Sequence, residues 1–208
     1  MMAEVKVWYA IGFGGILLAG GIYVYQHRAN LGLDTLAALA GASPNEPRPA
    51  HMLWHTIDHT PDGFTVELPD KEKQEQVNAQ NSMGGSEPVS MISASPDEDT
   101  VFSVAWADDP PVARSKAMDA EKTMDAARDA ALARTQSTLV SEKTFAYGGA
   151  PAREFIGHNA NGGVFNARLI LPGRRLYMLI AAFPAPSARR DKDVQRFFNS
   201  FNVIDSTR

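Results

Sequence analysis

Three histidines recur at four-residue intervals in HMLWHTIDH: His51, His55 and His59. A spacing of four puts side chains on one face of a helix or of a strand, and imidazole is a common metal ligand. His55 and His59 also match the spacing of a zincin helix, but Thr56 stands where that chemistry needs a glutamate. The TPDG turn signal just downstream favours a strand. In a strand His51 and His59 lie about 26 Å apart, too far to share one ion. The spacing therefore predicts solvated or linker histidines, with no metal and no cofactor.

A second group is more informative. If HNANGG closes a hairpin, Glu154 and Arg168 fall opposite each other and Arg153 faces the other side. Glu154, His158, Asn166 and Arg168 would then form a polar patch able to receive an anionic group. The simpler reading is a cross-strand pair that sets register at the sheet surface, worth roughly 0.2–1 kcal/mol. A third group, Arg189, Arg190, Lys192 and Arg196, surrounds the start of a C-terminal helix. Asp191 and Asp193 dilute it, which predicts a solvated helix face, with phosphate or lipid headgroup contact as the alternative. No G-x-S-x-G, S-x-x-K or phosphate-binding loop follows a strand. With no cysteine in the chain, thiol nucleophiles, disulfides and thiolate zinc sites are excluded.

The elements that must position these residues are legible in part. The chain has 208 residues, 44% of them hydrophobic, and a net charge of -4, which gives no footprint for nucleic acid. Val7 to Tyr25 is free of charge, flanked by Lys6 and Arg28, with Trp8, Tyr9, Tyr23 and Tyr25 at its ends. This length and these aromatic ends predict a membrane-spanning helix. Small-residue cleavage signals come only near Ala38 to Ala42, so an uncleaved anchor is expected. Small residues recur at helical spacing as Ala10-Gly14 and Gly15-Ala19; the simpler reading is glycine tolerated in an anchor, and the alternative is a face at which two anchors pair as a homodimer. The positive-inside rule leans toward a cytoplasmic N-terminus and an exported body. Leu31, Leu33, Leu36 and Leu39 suggest a short surface helix, and three prolines in GASPNEPRPA mark a stiff linker. The expected organisation is an anchor over 1–28, a juxtamembrane segment and linker over 29–50, and a soluble domain over 51–208.

In that domain FTVEL alternates Phe64, Val66 and Leu68, and VFSVAW alternates Phe102, Val104 and Trp106. VSMISAS pairs with the latter around PDEDT. The polar stretch PDKEKQEQVNAQNSMGGSEP reads as a long loop. A helix is predicted within DDPPVARSKAMDAEKTMDAARDAALARTQ, capped by Asp109, with Ala117, Met118, Met124, Ala127, Ala131 and Leu132 as its apolar stripe. Asp119/Lys122 and Asp125/Arg128 form its solvated pairs. Four strands follow: LVSEKTFAY, APAREFIGH, GVFNARLIL and RLYMLIAAF. The last is half the length of a membrane helix and apolar almost throughout, which fits a central strand buried on both faces. A final helix starts near Ser187 and ends in an NVID tail. The sum is an α+β domain, a mostly antiparallel sheet covered by two helices.

GFTVELP, GGAPAREF, RLYMLIAAFP and FFNSFNV together resemble the PsbP-like α/β/α sandwich, and are similar to uncharacterised membrane-anchored bacterial proteins of that pattern. The resemblance spans about residues 62 to 204. It rests on core and turn residues: Gly149, Pro151, Arg153, Glu154, Tyr177, Phe198 and Phe201. It implies the fold. Members of the class serve photosystem support and chaperone or binding roles, and no metal or catalytic motif carries over. The expectation is a single-pass protein of the bacterial inner membrane whose periplasmic domain is a noncatalytic binding or accessory module for a protein partner. The alternative is a hydrolase or ligand-binding enzyme using the surface around Glu154, His158 and Arg168.

Overall fold

The structure, a computed structural model, describes residues 52–69, 72–80, 86–97, 100–108, 120–186 and 188–204. The expected anchor, the leucine-bearing segment, the linker, His51 and the Asp109 cap lie outside these residues. Among the described residues no helix is long and apolar enough to cross a membrane.

Among the described residues ten strands form two antiparallel sheets. The chain begins with β1 (Trp54–His59), a single turn of 3-10 helix, and β2 (Phe64–Pro69). β3 (Glu72–Gln80), β4 (Ser86–Asp97) and β5 (Thr100–Asp108) follow, then α1 (Ala120–Arg134). Next come β6 (Ser137–Tyr147), β7 (Ala150–Asn159), β8 (Val164–Ile170) and β9 (Arg175–Phe183). The chain ends with α2 (Ala188–Ser200) and β10 (Asn202–Val203). The large sheet has the order β3-β4-β5-β9-β8-β7-β6, and the small one β1-β2-β10.

β9 is the middle strand of the large sheet, and its side chains divide between the two faces. Leu176, Met178 and Ile180 join Phe165, Ala167 and Leu169 against Met124, Ala127, Ala131 and Leu132 of α1. Tyr177, Leu179, Ala181 and Phe183 face the opposite way. There they meet Phe64, Val66 and Leu68 of β2 and Val194, Phe197 and Phe198 of α2. The apolar run of RLYMLIAAF is thus a strand that needs two partners, as expected.

The cover differs from expectation on the second face. FTVEL is not part of the main sheet; with β1 and the NVID tail it makes a small second sheet, which shares this face with α2. Its strict alternation, with Thr65 and Glu67 turned outward, suits a strand covered on one side only. The long polar stretch also differs: Glu72–Gln80 within it is β3, paired with β4 from Glu72↔Ala94 to Gln80↔Ser86. An edge strand needs apolar residues on neither face, and Glu72 and Lys73 blunt it against pairing with another chain. Composition had suggested a loop for that reason. The NVID tail is a strand because Asn202 and Val203 pair with Thr65 and Phe64.

Candidate functional site

The β7–β8 hairpin sets the geometry of the polar patch. Asn159 Oδ1 accepts the backbone N–H groups of Asn161 (3.0 Å) and Gly163 (2.9 Å), and Gly162 takes a φ of 84° that favours glycine. This turn fixes the register Glu154↔Arg168, Ile156↔Asn166 and His158↔Val164. Glu154, His158, Asn166 and Arg168 therefore share one face, and Arg153 takes the other.

That face lies under α2, not at the sheet surface where the pair was expected. Arg168 is 7% exposed. Its Nε donates to Glu154 Oε1 at 2.7 Å, and its Nη2 pairs with the same oxygen. Its Nη1 donates to the backbone carbonyl of Phe198 at 2.5 Å. The guanidinium carbon sits 4.8 Å from the Phe198 ring centroid and 5.6 Å from that of Phe145. Lys143 Nζ reaches the other Glu154 oxygen at 2.7 Å. A cation at the last turn of a helix meets an orphan carbonyl and the negative end of the helix dipole. Arg168 thus ties α2 to the sheet, and Glu154 balances its charge. An incoming anion would have to displace Glu154.

Asn166 is half-buried on the same face, and His158 is exposed at the far end of β7. Four residues of strand put His158 roughly 13 Å from Glu154, beyond reach for shared proton transfer. The structure therefore brings Glu154 and Arg168 together, aligns Asn166 beside them, and leaves His158 apart.

On the opposite face Arg153 is 3% exposed and anchors α1. Its Nη1 lies 2.5 Å from Asp125 Oδ1 and 3.0 Å from Glu142 Oε1, and its Nη2 lies 2.8 Å from Glu121 Oε2. Arg128 donates to both Glu142 oxygens at 2.9 Å. Burial pushes the Arg128 guanidinium down, but hydrogen bonds to Glu142 and Asp129 more than offset it. The expected Asp125/Arg128 pair is present at 3.3 Å. It belongs to a network spanning helix and edge strand, rather than to a solvated face alone.

The histidines go separate ways. His55 Nε2 lies 3.1 Å from Glu72 Oε2, and His59 Nδ1 lies 3.1 Å from Asp62 Oδ2. Among the described residues no group of three or more His, Asp or Glu is placed to hold a metal. Asp62 gathers a cluster that sequence reasoning missed. Its second carboxylate oxygen accepts Trp106 Nε1–H at 3.0 Å. Its backbone carbonyl accepts from Tyr177 Oη (2.8 Å) and Arg175 Nη1 (2.7 Å). Arg175 also grips both Asp108 oxygens, at 2.6 and 2.8 Å. That hydrogen bond holds the Asp108 carboxyl below its ordinary value, whereas burial pushes the Tyr177 phenol up. The His59 ring stacks on Phe64 at 5.0 Å. The available signal was H-T-P-D-G, an i,i+3 acid after a histidine across a proline-bearing turn. The cluster fastens the β1–β2 turn to β5 and β9.

No family model matches the chain, and no curated protein matches it. Among solved structures, it is similar to cyanobacterial PsbP (CyanoP) from Synechocystis sp., with a TM-score of 0.51 and 14% identity. That match covers 79% of this chain and 98% of the other. A protein of unknown function from Pseudomonas aeruginosa matches with a TM-score of 0.34 and 13% identity, over 70% of this chain and 91% of the other. The fold is PsbP-like.

Proposed function

We propose that this PsbP-like domain is a noncatalytic binding or accessory module held at a membrane. In this reading residues 1–28 cross the bacterial inner membrane once, and residues 29–50 link the anchor to the domain. The domain stands on the periplasmic side and engages a protein partner, with two anchors able to pair through the face of Gly14 and Gly15. The likeness to CyanoP supports the fold and leaves the partner open.

One observation carries the noncatalytic reading. Of the residues that the sequence marks out for chemistry, Glu154 and Arg168 are committed to holding α2 on the sheet, and His158 stands apart from them. Crosslinking in native membranes followed by capture of the full chain is expected to recover a specific protein in near-stoichiometric yield. Recovery of no partner, together with turnover of an ester or peptide substrate that Glu154→Gln abolishes, would reverse the reading toward the hydrolase alternative. Crosslinked dimer yield that is identical for wild type and Gly14→Leu would remove the anchor-pairing element.

A further inference from the structure

We infer that the edge of β6 is a dimer interface, at which a second copy of this chain adds its own β6 antiparallel and the two large sheets become one. The inference needs neither the anchor nor the protein partner proposed above.

The direction of the edge's backbone groups follows from one proline. Leu171 N–H donates to the Pro151 carbonyl at 3.0 Å, so Pro151 turns its backbone toward the β8 side and away from β6. Ala146 stands opposite Pro151. The two are therefore a non-hydrogen-bonded pair, and the N–H and C=O of Ala146 point out of the sheet edge. By alternation Thr144 and Glu142 point the same way. Glu142 agrees with this: it is exposed as a residue although its side chain is only 24% exposed, so its open part is backbone.

This edge lacks the charged blunting of β3. Glu142 and Lys143 are the charged side chains of β6, and both are neutralised within the protomer. Arg128 and Arg153 hold Glu142, and Glu154 holds Lys143. Leu139 and Val140 are exposed aliphatics at the start of the strand. A register shift between Leu139 and Ser141 bends that start and leaves residues 141–147 regular.

The occupant follows from the strand's own pattern. A two-fold axis perpendicular to the sheet keeps like faces together, so a residue can face only itself or one an even number of places away. With the axis at Thr144, Thr144 faces Thr144, and Glu142 faces Ala146 twice over. About six backbone hydrogen bonds then close between the copies. In the alternate pairs Lys143 meets Phe145 and Ser141 meets Tyr147. Lys143 already lies 5.7 Å from the centroid of its own Phe145 ring, and lysine against an aromatic ring is attractive across strands. Moving the axis toward the strand's start opposes Lys143 to Lys143 or Glu142 to Glu142. Moving it the other way runs the pairing into the turn at Gly148 and Gly149, whose positive φ values take them out of the strand. In the Thr144 register, Leu139 and Val140 come alongside that turn of the second copy. There is room for them there: a Cβ at Gly148 or Gly149 would meet nothing within 4 Å.

The test uses the full chain in detergent, with one cysteine introduced into a sequence that has none. Thr144→Cys places the two thiols directly opposite, with Cα atoms about 5.5 Å apart and within disulfide range. Thr138→Cys, exposed on the same strand, places them about 40 Å apart. Under copper-phenanthroline oxidation the first is expected to give at least about tenfold more linked dimer than the second. Ala146→Pro, added to Thr144→Cys, removes an outward N–H that the protomer's own sheet does not use. It should cut the yield roughly fivefold while near-ultraviolet circular dichroism stays unchanged. If the proline disturbs the fold, the comparison of positions 144 and 138 decides alone. Gly14→Leu should leave the ratio of the two yields intact. Equal yields, or none at 144, overturn the inference. So does a yield at 144 that Ala146→Pro leaves undiminished in a folded chain, since side-chain contact would then suffice. A ratio lost with Gly14→Leu assigns the contact to the anchors and likewise overturns it. Capture of a different protein at 144 in native membranes, in place of the second copy, overturns the choice of occupant.

Discussion

Arg153 and Arg168 are buried on neighbouring strands, one on each face of the same sheet, and each holds one of the two helices. They do so by different means. Arg153 is surrounded by three carboxylates from two elements, two on α1 and one on β6. Arg168 has one carboxylate, Glu154, one backbone carbonyl at the end of α2, and two aromatic rings. The acids around Arg153 reach solvent, Glu121 most of all, whereas Glu154 is 13% exposed in its side chain. Burying a charge is tolerable only when its partners are fixed and its hydrogen bonds made. Arg153 meets the requirement at its two Nη groups with redundant, partly hydrated acids, while its buried Nε has no hydrogen-bond partner among the described residues. Arg168 meets it with a single geometry. The lesson is that the α2 side of the sandwich is brittle and the α1 side forgiving.

The sharpest way to break this contrast is Arg168→Ala. It strips the Phe198 carbonyl of its donor and leaves Glu154 in a poorly hydrated site with only Lys143. A loss of about 3–5 kcal/mol is expected from urea unfolding of the full chain in detergent. Arg168→Lys should recover less than half of it, because an ammonium cannot meet Glu154, the Phe198 carbonyl and two ring faces from one plane. Full recovery by lysine would mean that charge alone matters, and the contrast with Arg153 would fall.

On the α1 side the largest expected effect comes from packing rather than charge. A Cβ at Gly157 would stand 2.7 Å from Leu132 Cδ2 and 3.0 Å from Ser137 Cβ. Gly157→Ala must displace the Leu132 side chain from its packing on the sheet and crowd Ser137, with a destabilisation of about 1–3 kcal/mol. Arg153→Met should lose only about 1–2 kcal/mol, because its acids can turn to water and Arg128 remains for Glu142. That loss should shrink in about 0.5 M salt, whereas the Arg168→Ala loss should hold nearly constant. Equal salt dependence in the two variants would erase the distinction.

The same contrast explains what the sequence disclosed. Residues whose partners are set by local counting were legible. Phe64, Val66 and Leu68 alternate into a core, RLYMLIAAF reads as a two-sided strand, and Glu154 opposes Arg168 once the Asn159–Gly163 turn is recognised. What was not legible depends on distant packing. Nothing near Arg168 announces that Phe198, thirty residues on, will supply a carbonyl. β3 was hidden because an edge strand needs no apolar pattern. FTVEL was read correctly as a strand but assigned to the wrong sheet, since alternation reports one buried face without saying which layer covers it. His59 drew attention for its spacing to other histidines, while its actual partner, Asp62, lay across the turn.

The smallest expected effect concerns the cluster at the β1–β2 turn, which lies outside both arginine systems and separates surface pairing from burial. Asp108 is held below its ordinary carboxyl value by its hydrogen bonds to Arg175. A carboxylate depressed in the folded state contributes stability that is present above the unfolded value, near 3.9, and is lost as pH falls through the folded value. Asp108 is largely exposed, so screening limits the contribution to less than about 1 kcal/mol at neutral pH. Asp108→Asn should therefore lower the unfolding midpoint slightly at pH 7 and not at all once the wild-type carboxyl is protonated. Arg175 keeps its bond to the Asp62 carbonyl in the variant, so the turn should stay closed and the ring stacking of His59 on Phe64 should persist. If the two proteins instead diverge as pH falls, the pair is not a depressed carboxylate. Surface and buried arginines would then have to be explained by one mechanism rather than two.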